Sequence, residues 1–137
     1  KHDIPVCAHV GLKPQSVHKI GGFRVQGRDS GAAEQMVKDA AALQSAGADL
    51  VLLECVPNEV GKAITQVLDV PVIGIGAGPH VDGQILVLYD MLDITRGSTP
   101  RFVKNFMEGL DSPLAAIEAY VRQVKERTYP AKEHCFS

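Results

Sequence analysis

Tryptophan is absent from this chain of 137 residues, and the aromatic residues together make up only 5% of it. So few rings argue against a stacking platform for single-stranded nucleic acid. Positive charge is not in excess either, because 14 Lys and Arg residues stand against 16 Asp and Glu residues, for a formal net charge of −2. Without a basic field, we expect the chain to bind neither nucleic acid nor an anionic membrane surface.

Long apolar runs and paired cysteines are lacking too. No stretch approaches the ~20 apolar residues of a membrane-spanning helix, and no signal-peptide pattern opens the chain. The three cysteines include no C-x-x-C pair, which argues against a disulfide framework or a zinc knuckle. Cys7 and Cys55 lie in apolar runs and are predicted to be small buried residues. We therefore expect a reducing, cytoplasmic setting.

Hydrophobic residues nevertheless make up 45% of the chain, which is enough to bury a core. Short apolar runs alternate with amphipathic segments. The apolar runs predict buried strands at residues 4–10, 49–56, 71–75 and 101–106. The amphipathic segments predict helices at residues 32–46, 57–68, 84–92 and 113–127. The predicted helix starts are marked by Ser30, Pro57, Asp82 and Ser112.

The segment 84–92 is ambiguous, because its apolar residues also suit a strand. A crossover between parallel strands takes about a dozen residues or more, and fewer separate this segment from the strand predicted at 71–75. We therefore assign the segment to a helix.

Strands and helices that alternate in this way predict an α/β fold with a parallel sheet. Two architectures of the sheet remain possible at this point. The length favours a small open doubly wound sheet, whereas the motifs below favour half of a (β/α)8 barrel, whose usual size is about 250 residues. We predict one partial domain over 1–137, with a lid loop at 11–30 and a polar tail at 129–137. The chain lacks an initiator Met, so we expect its N-terminus to be cut from a longer sequence.

Two polar residues stand at predicted strand ends, where parallel α/β folds bind their ligands. Glu54 follows four apolar residues and is either a general base with a raised pKa, a metal ligand, or a strand-end carboxylate bridged to a Lys or Arg. His9 is either a hydrogen-bond donor to a ligand or a core histidine bonded to a backbone carbonyl. Their neighbouring positions make the pair a candidate site.

Three glycines, Gly74, Gly76 and Gly78, follow the third predicted strand. The dinucleotide-binding motif is excluded because the next required glycine is replaced by Pro79. We expect a tight turn where the backbone passes close to a substrate rather than to a phosphate. The remaining histidines lack metal-ligand spacing and are expected at the surface: His18, His80 and His134.

Several blocks of the sequence, in order, resemble one family. They are PVCAHVGL at 5–12 with PQS at 14–16, GGFRVQGR at 21–28, LECVP at 53–57, PVIGIGAG at 71–78 and DGQILV at 82–87. Together they are similar to the matching stretches of ketopantoate hydroxymethyltransferases (3-methyl-2-oxobutanoate hydroxymethyltransferases), over nearly the whole chain.

The resemblance implies strands five to eight of a (β/α)8 barrel of the phosphoenolpyruvate/pyruvate type. It implies transfer of a hydroxymethyl group from 5,10-methylenetetrahydrofolate to 3-methyl-2-oxobutanoate, which gives 2-dehydropantoate for pantothenate biosynthesis. Glu54 matches the family's proton acceptor, which forms an enolate stabilised by Mg²⁺. His9 falls near the substrate, with a supporting hydrogen bond. The family forms large homo-oligomers, decamers among them, so we expect a homo-oligomer.

The resemblance also implies that part of the site lies elsewhere. The family's Mg²⁺ ligands, two Asp and one Glu, and the Lys that binds the keto acid come from the first half of the barrel, so no metal ligand is assigned in this sequence. We expect the rest of the barrel as a further segment, a second chain or a symmetric partner. Two other functions stay open: a non-catalytic half-barrel binding or assembly module, and a carbon–carbon lyase of the same barrel superfamily acting on a 2-oxo acid.

Overall fold

A parallel β-sheet with helices packed on it forms the part of the chain that the computed structural model describes, residues 3–16 and 24–137. The strands are β1 (Cys7–Gly11), β2 (Leu50–Glu54), β3 (Val72–Ile75) and β4 (Gly83–Gln84). The helices are α1 (Ser30–Ser45), α2 (Asn58–Val67), α3 (Leu88–Met91) and α4 (Pro113–Lys125), with 3₁₀ turns at Pro14–Ser16 and Lys132–His134. Among the described helices, none combines the length and apolarity needed to cross a bilayer. Residues 17–23 of the predicted lid, with His18, lie outside the described residues.

The sheet keeps its strands in chain order, β1-β2-β3-β4, and every neighbouring pair is parallel. This confirms the predicted α/β class and the first three strands. A doubly wound sheet reverses its strand order at a switch point and carries helices on both faces. The described sheet shows no such reversal, and its order is consistent with part of a barrel.

The main core lies between one face of the sheet and helices α1 and α2. Strand alternation sends the side chains of Ala8, Val51 and Leu53 to this face, where they are buried. Ala40 of α1 and Ile64 of α2 are fully buried against them. Both helices therefore cover the same face, which leaves the opposite face free of them.

Helix α2 approaches the turn after β3 very closely. A Cβ atom at Gly61 would lie 2.4 Å from the backbone oxygen of Ala77, well inside van der Waals contact. The glycine therefore sets the distance between α2 and the edge of the sheet where the strands end.

The helix predicted over 84–92 is wrong. Residues 83–84 instead form β4, parallel to β3, and only α3 is helical in this region. The connection needs no helix, because Gly76 and Gly78 adopt φ values of 63° and 79° and turn the chain back at once. Asp82 is not a helix cap, since its Oδ2 accepts a hydrogen bond from the Val72 amide at 2.8 Å and fastens the return to β3.

The fourth strand predicted over 101–106 is also wrong, because residues 101–102 and 106–109 are turns. Its two phenylalanines are buried in different clusters. Phe102 packs with Leu12 and Ile75, whereas Phe106 meets Tyr120 and Tyr129 edge-to-face at 5.4 and 5.2 Å between ring centroids. In a strand, residues 102 and 106 would point to the same face and could not pack into two different clusters. Side-chain packing therefore determines the backbone conformation of this segment.

Three local predictions have different outcomes. The α1 cap is Asp29, not Ser30, because its Oδ1 accepts a hydrogen bond from the Ala32 amide at 2.8 Å. Ser112 caps α4 as predicted. Cys55 is buried, as predicted, but Cys7 is exposed, because it begins β1 on the face without helices.

We expect Gly61→Ala to lower the free energy of unfolding by about 1–3 kcal/mol, because the added methyl group must displace the Ala77 backbone. The matched control is Gly31→Ala in α1, where the nearest atom to the new Cβ is 3.5 Å away. That change should raise stability by up to about 1 kcal/mol. Urea unfolding of both variants measures the difference, and equal effects at the two glycines would contradict the close approach.

Candidate active site

The face of the sheet opposite α1 and α2, called here the open face, carries both predicted site residues. Because Ala8 and Val10 face the core, alternation turns His9 of β1 away from the helices. The same rule turns Glu54 of β2 away from them, since Leu53 faces the core. The structure therefore places both candidate side chains on one face, but only Glu54 lies at the carboxyl end of its strand, whereas His9 lies in the middle of β1, two residues before its end.

The parallel register brings the two side chains into contact. Gly11 lies opposite Glu54, and His9 lies one step back, opposite Leu52, so the pair is diagonal across β1 and β2. The distance from Nε2 of His9 to Oε2 of Glu54 is 3.1 Å. Their side chains keep 25% and 16% of their surface exposed, so neither is fully buried.

The two side chains lie within ion-pair distance, but their geometry is not that of a well-aligned hydrogen bond. Nε2 of His9 is buried, and within the described part of the chain it has no hydrogen-bond partner of good geometry. His9 is therefore not the core histidine bonded to a backbone carbonyl through Nε2. Glu54 likewise has His9, rather than a described Lys or Arg, as the ionisable side chain within ion-pair distance.

Burial at the strand end raises the pKa of Glu54 above its ordinary value of 4.5. The charge of His9 and its contact with the carboxylate oppose this effect and lower the pKa, but desolvation is the larger cause. A carboxylate in this state is a stronger base than one in water, and an exposed edge leaves it within reach of a substrate.

Backbone hydrogen bonds fix the position of Glu54. Its carbonyl oxygen accepts from the Leu12 amide at 2.8 Å, which ties β2 to the segment after β1. The next residue, Cys55, donates its amide to the carbonyl of Ile75 at 2.9 Å and accepts from the Gln26 amide at 2.9 Å. Strands and loops on both sides therefore hold the carboxyl end of β2.

An apolar cluster borders the same strand end. Leu12, Cys55, Ile75 and Phe102 are buried together, with Leu52 of the open face packed against them. The sequence did not single out Phe102 as part of this region, because it was assigned to a strand. No local pattern shows which of two clusters a phenylalanine in a turn will join.

The glycine turn after β3 is tight, as predicted, but the atoms that crowd it belong to this chain. A Cβ at Gly76 would lie 2.6 Å from the Phe102 ring, and one at Gly78 would lie 2.4 Å from Oδ1 of Asn58. These contacts within the chain explain why both positions require glycine, and no ligand is needed for the explanation. The approach of a substrate to this turn stays a prediction.

The other histidines lie outside the pair. His80 is exposed, as predicted, whereas His134 is half-buried beside the Tyr129 ring and accepts from the Ala131 amide through Nδ1. Burial lowers the pKa of His134. Within residues 3–16 and 24–137, no group of three or more His, Cys, Asp or Glu side chains could hold a metal ion.

A pocket of about 460 Å³ lies away from the pair, near the first turns of α1 and α2. Its lining includes Arg28, Asp29, Asn58 and Phe136 but neither His9 nor Glu54. We assign the candidate site to the open face, because there a perturbed carboxylate and a histidine are in contact.

Comparison with known proteins gives consistent matches. The profile of the family described as Ketopantoate hydroxymethyltransferase matches residues 1–132. The chain is 57% identical over 136 residues to 3-methyl-2-oxobutanoate hydroxymethyltransferase of Chromohalobacter salexigens, covering 99% of this chain and 52% of that protein. It is 61% identical over 133 residues to the protein of the same name from Alkalilimnicola ehrlichii, covering 97% and 48%. The chain thus spans about half the length of the curated relatives it matches.

We expect Glu54→Gln to stabilise the protein increasingly as the pH rises above about 4.5. Because the pKa of Glu54 is raised in the folded state, the unfolded chain loses this proton first, and folding becomes less favourable as pH rises through the folded-state pKa. The glutamine variant has no such penalty. Thermal unfolding of both proteins between pH 4 and pH 8 measures the difference.

The control is Glu108→Gln, which changes an exposed carboxylate in a turn. Its melting temperature should follow that of the parent protein across the whole pH range. A Glu54→Gln variant whose advantage shrinks as the pH rises would contradict the raised pKa.

Proposed function

This chain belongs to the ketopantoate hydroxymethyltransferase family, and from that membership we propose that it is part of an enzyme acting on 3-methyl-2-oxobutanoate. The enzyme transfers a hydroxymethyl group from 5,10-methylenetetrahydrofolate to the keto acid and yields 2-dehydropantoate for pantothenate biosynthesis. The names of these relatives specify the keto acid and the transferred group. The observation that carries the proposal on this chain is the contact between Glu54 and His9 on the open face.

Glu54 is proposed as the proton acceptor. The reaction needs the proton at C3 of the keto acid, next to the ketone carbonyl, to be removed by a base with a pKa near the working pH. The carboxylate takes this proton, and the electron pair of the C–H bond moves into the enolate. Hydrolysis of the folate breaks the two C–N bonds of its methylene bridge: the electron pairs stay on the nitrogens, and water supplies two protons to them and its oxygen to the released formaldehyde. C3 of the enolate then bonds to the formaldehyde carbon, and the resulting alkoxide takes the proton held by Glu54, which gives the hydroxymethyl group. The desolvated position of Glu54 suits this role.

His9 is proposed to bind the substrate and to orient the base. Its Nε2 is buried 3.1 Å from the Glu54 carboxylate without a well-aligned hydrogen bond, so this nitrogen has a hydrogen bond left to make with a substrate acceptor that enters beside the carboxylate. A keto acid offers such acceptors in its carbonyl and carboxylate oxygens. The same ring limits the directions in which the Glu54 carboxylate can point.

Mg²⁺ is proposed as the cofactor, with ligands outside this chain. Magnesium takes octahedral oxygen ligands, whereas the candidate site offers one carboxylate beside an imidazole. The described residues therefore do not fit the metal by themselves, and the proposed role of Glu54 as a base does not require it to bind the metal.

We propose that the chain supplies strands five to eight of the family's (β/α)8 barrel. In such a barrel the open face becomes the inner wall, and the helices form the outer ring. The single-sided packing of α1 and α2 and the coverage of about half of each relative support this. The missing half would supply the metal ligands, and the completed barrel is expected to form a homo-oligomer.

The complete protein that contains this chain should exchange the C3 proton of 3-methyl-2-oxobutanoate for deuterium when Mg²⁺ is present, without folate. Glu54→Gln should slow the exchange by about 100-fold or more, because the base is lost. Proton NMR of the keto acid in D₂O measures the rate directly.

The control is Glu59→Gln, an exposed glutamate in the first turn of α2, which should leave exchange unchanged. Exchange at the parent rate in Glu54→Gln would remove Glu54 as the base. Carbon–carbon cleavage of a 2-oxo acid without any dependence on the folate would favour the lyase alternative.

Mass spectrometry of the purified native assembly tests the barrel. We expect each copy of this chain to be accompanied by a segment of about equal size, either in the same polypeptide or in a second one. An active assembly built only from 137-residue chains would contradict a distinct second half and would leave a symmetric partner as the rest of the barrel.

A further inference from the structure

Cys55, the residue directly after Glu54, has a backbone conformation that is rare for its type. Its φ value is 52°, in the left-handed region that residues with a Cβ atom seldom adopt. Such a conformation persists only where the surroundings impose it, and it is common beside active sites. Because Cys55 is next to the candidate base, its backbone conformation affects the surroundings of the Glu54 carboxylate.

Contacts on three sides hold Cys55 in this conformation. The amide bonds to Ile75 and the carbonyl bonds to Gln26, each at 2.9 Å. The side chain is only 7% exposed and packs with Leu12, Ile75 and Phe102. Both peptide groups and the thiol are therefore held in place. These hydrogen bonds and packing contacts offset the unfavourable energy of the left-handed backbone conformation.

The left-handed turn changes the face to which the side chain points. In a regular strand, residue 55 would follow Val51 and Leu53 into the core under the helices. Instead, Cys55 joins the cluster that contains Leu52, a residue of the open face. Two consecutive residues, Glu54 and Cys55, therefore lie on the same side of the sheet.

The thiol beside the carboxylate is neutral. Burial raises the pKa of Cys55 to about 12, and the negative charge of Glu54 adds to the effect. Among the described residues, the titratable groups that face Glu54 are His9 from β1 and this thiol, while Leu12 and Ile75 contribute none. An uncharged sulfur in this place excludes water and offers no strong hydrogen bond.

We propose that Cys55 is a positioning residue for Glu54, whose left-handed backbone turns a neutral, poorly hydrated side chain against the carboxylate and keeps water from it. A role of Cys55 in catalysis rests on the proposed function. The effect of Cys55 on the pKa of Glu54 is independent of that function. Cys55 itself takes no covalent part in the reaction.

The test compares Cys55→Gly and Cys55→Ser in the complete protein. Glycine accepts the same φ and removes the thiol, so folding is retained while water gains access. Serine keeps the size and adds a hydroxyl that can donate to the carboxylate. Both changes should lower the midpoint of the Glu54 titration by about 0.5–1 pH unit, because both favour the charged form. Carbon-13 NMR of labelled glutamate, assigned with Glu54→Gln, measures this midpoint without substrate.

The matched control is Cys135→Ser, which changes another buried cysteine, hydrogen-bonded to the Ala131 carbonyl and outside the cluster beside Glu54. It should leave the midpoint unchanged. An unchanged midpoint in the folded Cys55→Gly and Cys55→Ser variants would overturn the proposal.

The exchange reaction separates this inference from the proposed function. If the parent protein exchanges the C3 proton, the acidic limb of its pH profile should move with the NMR midpoint in both Cys55 variants. If the parent shows no exchange but the midpoint moves, Cys55 still positions Glu54 and the proposed function fails. If exchange occurs and neither the limb nor the midpoint moves, the inference about Cys55 fails alone.

Discussion

The parallel register between β1 and β2 is the constraint on which the site depends. It sets Gly11 opposite Glu54 and leaves His9 one step behind, so the two side chains meet diagonally at 3.1 Å. Because a shift of one residue would turn every side chain to the other face, the same register also decides what is buried in the core. The core packing of Ala8, Val10 and Leu53 therefore fixes the contact between His9 and Glu54.

Helices on only one face give the candidate base an intermediate environment. A carboxylate in the core under α1 and α2 would be too costly to ionise, and one in a surface loop would behave as in water. Glu54 lies between these limits, with 16% of its side chain exposed and its pKa raised by burial. The backbone bonds from Leu12 and around Cys55 keep it there, although the left-handed conformation of Cys55 is unfavourable by itself.

Local sequence patterns were sufficient to predict the first three strands, because short apolar runs favour buried strands wherever they occur. The runs that form β1, β2 and β3 are short and apolar, and their order along the chain predicts that His9 and Glu54 lie close together, although His9 is in the middle of β1 and not at its end. Contacts between distant segments determine the remaining features, which are β4 and the backbone conformation of Cys55. The two-residue strand β4 has no pattern of its own and exists because Asp82 and the glycine turn return the chain to β3. The φ value of Cys55 likewise follows from bonds to distant segments, which no neighbouring residue reveals.

The open face also bears on how a completed barrel would tune the site. On the sheet described here, desolvation of Glu54 comes from its own strand end and from the cluster with Leu12 and Cys55. If the proposed second half closes over this face, it removes further water, and the added burial raises the pKa of Glu54 again. A positive metal centre on that half acts in the opposite direction and favours the carboxylate. A second half of this kind would therefore supply more than ligands, because the basicity of Glu54 would depend on the balance between these two effects.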